Sequence, residues 1–391
     1  MHEISPGCYP SLSNDAYHHG PGVSKSGLDI LNRSAEKFHW LMTAKPEGRE
    51  PTDAQAFGSA YHAIVLEPDV FAKTYCLALR MQDVPGAIDD RDTLVAMVVK
   101  LNEGRLPKLA TTGAKAALIE RIAAGEREQF PSDESKWKTF DDLAGMKGAE
   151  LSSYIDHLNS FRAGLLPVSG TRHELAELLR ANGVAVTLWS DELAKWETNN
   201  PGRIVLSEED WNTLHAMREK IMQHPAASAL LRKRGQSEMS FYWVDPATGE
   251  LLRVRPDFLT DCGIIVDLKT ARDASFDGFV SSIQSYRYDV QHPFYIDGVN
   301  AAIEQAKLDR PKARRFIFIG QEKEPPYSVG VYELDPEDVE LGRLEYRNDV
   351  NKLHSCRQAE KWPGYGDGVQ RISLTEWHRK KTALAVSPTV H

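Results

Sequence analysis

Apolar residues change their spacing along the chain, and each change marks a change of structure. Between Ser24 and Leu66 they recur three and four residues apart, as on helices that bury one face. Ser24 is an N-cap for a helix from Lys25 to about Thr43, with Leu28, Leu31 and Phe38 on its inner face. After a Pro/Gly/charged loop, a second helix starts near Ala54, runs through Phe57 to Leu66 and ends at Pro68. The stretch before Pro21 is rich in turn formers, and from about Val84 to Asn200 small and charged helix formers dominate. A helix from Glu208 to about Arg234 then leads into period-two alternation. Residues 238–244 and 251–258 read as a hairpin about the Asp245-Pro246-Ala247-Thr248-Gly249 turn. Residues 264–269 are nearly all apolar, the mark of a strand buried on both faces. A helical region from Phe276 to Glu304, strands near 315–320 and 328–334, and an amphipathic helix from Pro336 to about Cys356 complete the pattern.

This pattern predicts an α/β fold in which a mixed central sheet is flanked by helices. Residues 1–83 and 201–360 carry that fold, 84–200 form an α-helical insertion, and 361–391 are a loose tail that includes Arg379, Lys380 and Lys381. The insertion contains a duplication, about 94–125 and 151–183. Leu101, Asn102, Arg105, Leu109, Gly113, Lys115, Leu118 and Glu120 return as Leu158, Asn159, Arg162, Leu166, Gly170, Arg172, Leu175 and Glu177, without a gap. Each copy reads as a helix, an extended turn and a second helix led by Lys115 or Arg172.

Composition narrows the class. At 391 residues, with 41% hydrophobic and 26% charged residues, the chain has the make-up of a soluble globular protein of two or three domains, or of one core with large insertions. A net charge of −9 argues against a surface that coats nucleic acid, but leaves room for one basic channel. Cys8, Cys76, Cys262 and Cys356 are scattered, so neither a disulfide framework nor a zinc site is expected. No apolar run is long enough for a membrane span, and the N-terminus shows no signal-peptide core. The expectation is a cytoplasmic protein with no membrane partner.

The chemistry concentrates at Arg255-Pro256-Asp257 and, after a turn, Asp267-Leu268-Lys269. Strand alternation puts Asp267 and Lys269 on one face, and the turn at 260–263 brings Asp257 beside them. Two carboxylates then stand ready for Mg2+, or Mn2+, and the lysine for an attacking water or for charge building on phosphorus. An isolated Asp-x-Lys is common, but here it closes a strongly apolar strand. Arg253 and Arg255 share a face with Asp257 and would line a phosphate path. Glu238 has the parity to add a third carboxylate. His62 lies one helical turn after Gly58, a spacing that lets a backbone or substrate approach. Gln291 and Tyr295 stand one turn apart, suited to bonding a phosphate or steadying the lysine, with Gln284 and Tyr288 as a weaker rival pair.

In that order, Gly58-x-x-x-His62, Arg-Pro-Asp257, Asp267-x-Lys269 and Gln291-x-x-x-Tyr295 resemble the PD-(D/E)xK nucleases of the RecB type. Wording at 23–29, 57–68, 242–249 and 286–295 is similar to the RecE-type exonuclease VIII of prophages. The resemblance implies a Mg2+-dependent exonuclease that degrades one strand of linear double-stranded DNA from its 5′ end. It also implies a ring-shaped homotetramer and a single-strand annealing partner of the RecT type. His62, Asp257 and Asp267 then correspond to metal ligands, Lys269 to the catalytic lysine, and Gln291 and Tyr295 to the supporting motif. The chain departs from the commoner pattern by having Asp, not Glu, before x-Lys269. The duplicated copies are similar to SAP-type modules that bind DNA. Free N–H groups at a helix start beside Lys115 or Arg172 suit a phosphate, with net charges of +3 over 100–125 and +1 over 158–183.

Two rival readings are weighed and set aside, one a second kind of nuclease and one from another class. An iron–sulfur nuclease would need a cysteine cluster near the C-terminus, and Cys356 stands alone there. A non-catalytic DNA-binding scaffold built on the repeats would gain nothing from carboxylates set against phosphate. A RecB-like nuclease of different polarity stays open.

Overall fold

The computed structural model describes residues 4–44, 52–374, 376, 379 and 380. Residues 45–51 of the Pro/Gly/charged loop and Lys381 of the tail lie outside the described residues. Two compact units are present: 1–76 with 204–391, and 77–203.

The first unit is built on a five-stranded mixed sheet. Its strands run in the spatial order Val329–Tyr332, Arg315–Glu322, Ile264–Ala271, Phe258–Thr260 and Gly235–Ser237. Ile264–Ala271 is central and parallel to Arg315–Glu322, while the remaining neighbours are antiparallel. A parallel pair needs a long crossover. The helices Phe276–Tyr286 and Tyr288–Gln305 supply it. Alternation along the central strand divides the core. Ile265 packs with Phe316, Phe318, Val290 and Phe294 on one face. Val266 and Leu268 pack with Tyr61, Ile64, Leu214 and Met217 on the other.

The expected hairpin departs from a simple pair. Ser240–Val244 pairs with Leu251–Val254, and Gly7–Tyr9 joins them in a separate three-stranded sheet. The run 251–258 therefore divides between two sheets. Pro256, which has no N–H to donate, sits at the break. Helices also break where caps intervene. The expected helix 25–43 is Lys25–Arg33 and Ala35–Ala44, and the residues before Pro21 form the strand Gly7–Tyr9 and the helix Asn14–His19.

In the second unit the duplicated copies exchange partners. Helices Arg91–Asn102 and Lys115–Gln129 belong to the first copy, Gly148–Ser160 and Arg172–Ala181 to the second. Leu94 and Val98 of the first copy pack with Leu175 and Leu179 of the second. Leu118 and Ile122 of the first pack with Leu151, Ile155 and Leu158 of the second. The polar clamps cross in the same way. Asn102 exchanges two hydrogen bonds with the backbone of Leu166, and Asn159 exchanges the same two with Leu109. Arg105 donates to the Gly164 carbonyl, and Arg162 to that of Pro107. Each core is thus a hybrid, whereas the sequence reading has each copy as its own module. Sequence spacing is identical for self-packed and exchanged copies, so the pattern alone cannot distinguish them.

Candidate active site

The ladder between Phe258–Thr260 and the central strand stops at Phe258 opposite Val266. Gly263, at φ +80°, closes the turn that sets this register. One step further would pair Asp257 with Asp267, but Asp257 has left the ladder after Pro256. The backbone of Leu268, denied a strand neighbour on that side, is taken by side chains. Its N–H donates to Asp257 Oδ2 at 2.7 Å. Its carbonyl accepts from His62 Nε2 at 3.1 Å. A carbonyl only accepts, so Nε2 carries the proton and Nδ1 is turned toward the carboxylates. Nδ1 lies 3.7 Å from Asp257 Oδ2 and 3.8 Å from Glu238 Oε1.

His62 reaches this point from the helix Asp53–Leu66, which Tyr61 fixes by a 2.5 Å hydrogen bond to the buried Gln321. A side chain at Gly58 would meet nothing within 4 Å, so the glycine leaves open space, and no backbone packs there. Glu238 arrives by a different route from the expected one. It is not in a strand: it stands at φ 51°, just after Gly235–Ser237, and its N–H bonds the Asp257 carbonyl at 3.1 Å. The left-handed turn, not strand parity, aims its carboxylate at His62.

Asp267 is buried on the other side of Leu268. Its Oδ1 accepts from Gln291 Nε2 at 2.6 Å, and its Oδ2 lies 2.6 Å from Lys269 Nζ. The Gln291 amide thus holds the carboxylate rather than the lysine or a phosphate. Tyr295, one turn later on the helix Tyr288–Gln305, faces the same cavity. Gln284 and Tyr288 lie on different helices, because the chain breaks at Arg287 between them. The cavity has a volume of about 810 Å³ and also receives Lys25, Glu67, Tyr286 and Tyr288.

Electrostatics follow from this packing. Burial opposes a charged His62, yet Asp257 and Glu238 outweigh it and hold its pKa up at about 9. Burial raises Asp257 above the usual carboxylate range and pushes Asp267 up to about 6, against the pull of nearby cations. Burial also works against the Lys269 ammonium, but Asp267 and Asp257 prevail and raise its pKa. A lysine held this firmly in its charged form is suited to positioning and charge stabilisation.

Residues 186–375 match the model of a PDDEXK-like domain of unknown function (DUF3799). The fold is a PD-(D/E)xK α/β core. Among curated proteins no sequence matches the chain. Among solved structures, one described as a "Putative exonuclease" from Eubacterium rectale is similar at 13% identity and a TM-score of 0.33, over 70% of this chain and 96% of that one. Another, described as SSO0001, is similar at 12% identity and a TM-score of 0.20, over 76% and 95%.

The donor set of this PDDEXK-like core fits a divalent cation. Nitrogen and oxygen donors of His62, Glu238 and Asp257 lie within 4.8 Å of one another. Asp267 Oδ2 beside them is buried and has no directed hydrogen bond, only the lysine charge. One imidazole with carboxylates suits Mn2+ at least as well as Mg2+.

The four expected DNA-binding cations have other partners. Arg253 donates to the carbonyls of His18, Gly20 and Pro21. Arg255 bonds Ser240, Asn14, Leu12 and Ser13. Both guanidiniums lie over Tyr17 and bind the N-terminal segment into the fold, and Arg255 also lines the site cavity. Lys115 donates to the Ala144 carbonyl and Arg172 pairs with Asp89. Sequence reasoning misses Lys25, buried beside the cavity. Its signal is a local oddity: a lysine in the first turn of a helix, where the helix dipole disfavours a cation. All four cysteines are free. Among the described residues, no helix is long and apolar enough to cross a membrane.

Proposed function

We propose that the protein is a divalent-metal-dependent nuclease. Specifically, it is an exodeoxyribonuclease that degrades linear double-stranded DNA in the 5′-to-3′ direction and leaves 3′ single-stranded tails. The observation that carries this reading is the backbone of the single residue Leu268. It orients His62 and Asp257 on one side of an Asp267–Lys269 pair, so metal donors and a fixed ammonium share one cavity. The polarity, the annealing partner of the RecT type, the ring-shaped homo-oligomer and the choice of Mg2+ rest on the resemblance of the motifs.

His62, Glu238 and Asp257 would hold the ion, with Asp267 at their edge. The ion supplies Lewis-acid activation of water and offsets charge on the phosphate. The chain does the rest. His62 presents Nδ1 because Leu268 occupies Nε2. Gln291 keeps Asp267 in place, and Asp267 keeps Lys269 charged and aimed into the cavity. That ammonium is a preorganised donor for a phosphate oxygen or a water, present before the reaction begins. A binding scaffold without activity would gain nothing from one buried and two half-buried carboxylates set against phosphate.

The test is digestion of end-labelled linear and closed circular duplexes with Mg2+, with Mn2+ and with chelator. Metal-dependent loss of the linear form alone is expected, with label released first from the 5′ end. Cutting of the circle would replace the exonuclease reading with an endonuclease one.

A further inference from the structure

Tyr286 is an exposed aromatic residue on a fixed mount. It is 61% exposed, yet the backbone beneath it is pinned. Its carbonyl accepts a 2.6 Å hydrogen bond from Lys25 Nζ, a buried ammonium that also pairs with Asp29 at 2.8 Å. The next residue, Arg287, stands at φ 54° between two helices, a backbone region sparsely populated by residues other than glycine. Asp29, Glu345 and Asp349 grip its guanidinium at 2.9, 3.0 and 2.7 Å. The ring of Tyr286 stacks on Tyr288, with centroids 5.6 Å apart and planes at 24°. Tyr288 stacks in turn on Phe318 at 5.6 Å and 26°. Lys269 Nζ lies 4.9 Å from the centre of the Tyr288 ring. A ladder of three rings therefore runs from the core outward past the site's lysine, and Tyr286 is its exposed outer step.

The position of that step relative to the cavities is informative. Tyr286, Tyr288 and Lys269 line the site cavity and also a second one of about 620 Å³, which extends toward Arg272 and Asp273. A chain passing from one cavity to the other crosses the tyrosines. We infer that Tyr286 is a stacking platform for the nucleobase beside the phosphate that is cut, a binding residue that touches the substrate. The inference rests on the nuclease reading above. A ring whose backbone is already fixed loses little further freedom when a flat ligand covers it. Every nucleobase has a π face, so such a platform holds a strand in place without reading its sequence.

The experiment uses linear duplexes carrying an abasic analogue at one of the three terminal nucleotides of the strand that is cut. Single-turnover rates on intact and abasic substrates are compared for the full chain. Wild type should favour the intact substrate by roughly 5- to 150-fold at one position. Tyr286→Ala should bring that ratio close to one, and Tyr286→Phe, which keeps the ring, should retain it. A wild-type ratio in Tyr286→Ala at every position, or no ratio in wild type, overturns the platform while leaving the nuclease intact. Quenching of a 2-aminopurine base on binding with Ca2+ separates the two claims. Absence of cleavage by wild type, with quenching in wild type and Tyr286→Phe but not in Tyr286→Ala, sinks the nuclease reading and supports the platform. Quenching that is unchanged in Tyr286→Ala overturns the platform.

Discussion

His62 and Asp257 are oriented by the same residue: Leu268 donates its N–H to the aspartate and accepts the histidine's Nε2–H. That leaves Nδ1 of His62 3.7 Å from Asp257 Oδ2, an arrangement set by one short strand that starts only at Phe258. Ligand orientation by a neighbouring backbone group is what gives a metal site its geometry before the ion arrives. His62→Ala should therefore weaken Mn2+ binding at least about tenfold, read by titration calorimetry of the full chain. Unchanged affinity would remove His62 from the ligand set.

The same pair gives the site a pH dependence. His62 has a pKa of about 9 without metal, above its unfolded value, so its proton adds stability at acid pH. That contribution is lost as pH rises through 9. Metal needs the imidazole neutral, so binding displaces the proton. Affinity for Mn2+ should rise by up to about tenfold per pH unit between neutrality and pH 9, then flatten. In His62→Ala the rise across this range should disappear. A flat wild-type profile would contradict the assignment.

Gln291 serves the Asp267 oxygen that Lys269 does not pair with. Its removal in Gln291→Ala leaves Asp267 Oδ1 buried without a donor, at a cost of about 1–3 kcal/mol. Urea unfolding should show the midpoint fall with an unchanged slope. A loss below the error of the method would mean that Gln291 acts on the substrate instead.

The exchange of copies in the second unit predicts cooperation between distant positions. Asn102→Ala and Asn159→Ala each remove two hydrogen bonds that cross from one copy to the other. Each variant should lose about 1–3 kcal/mol and loosen helices of both copies together. Hydrogen exchange followed by mass spectrometry reads this directly. Loosening confined to the mutated copy would show that the copies fold as separate modules.

What could be read from the chain depended on range. Asp257, Asp267 and Lys269 are ten and two residues apart across one turn, so strand alternation and the turn are enough to bring them together. Gln291 follows in the crossover helix, where a one-turn spacing is legible. Glu238 reaches the site by a left-handed turn that parity does not describe. Arg253 and Arg255 share the expected face, but their partners are carbonyls of the N-terminal segment more than two hundred residues away. No local pattern reveals such partners, and exposed cations and buried clamps look alike in sequence. Lys25 was equally hidden, apart from its awkward place in a first helical turn.

The most direct test of the site is cleavage of end-labelled linear duplex by Lys269→Ala beside wild type, at saturating Mn2+ and equal folded protein. Lys269 is the preorganised ammonium of the cavity and, through Asp267, part of a buried pair. Cleavage should fall by roughly 10²–10³-fold or more, with DNA binding retained. Digestion by Lys269→Ala at the wild-type rate would contradict the account.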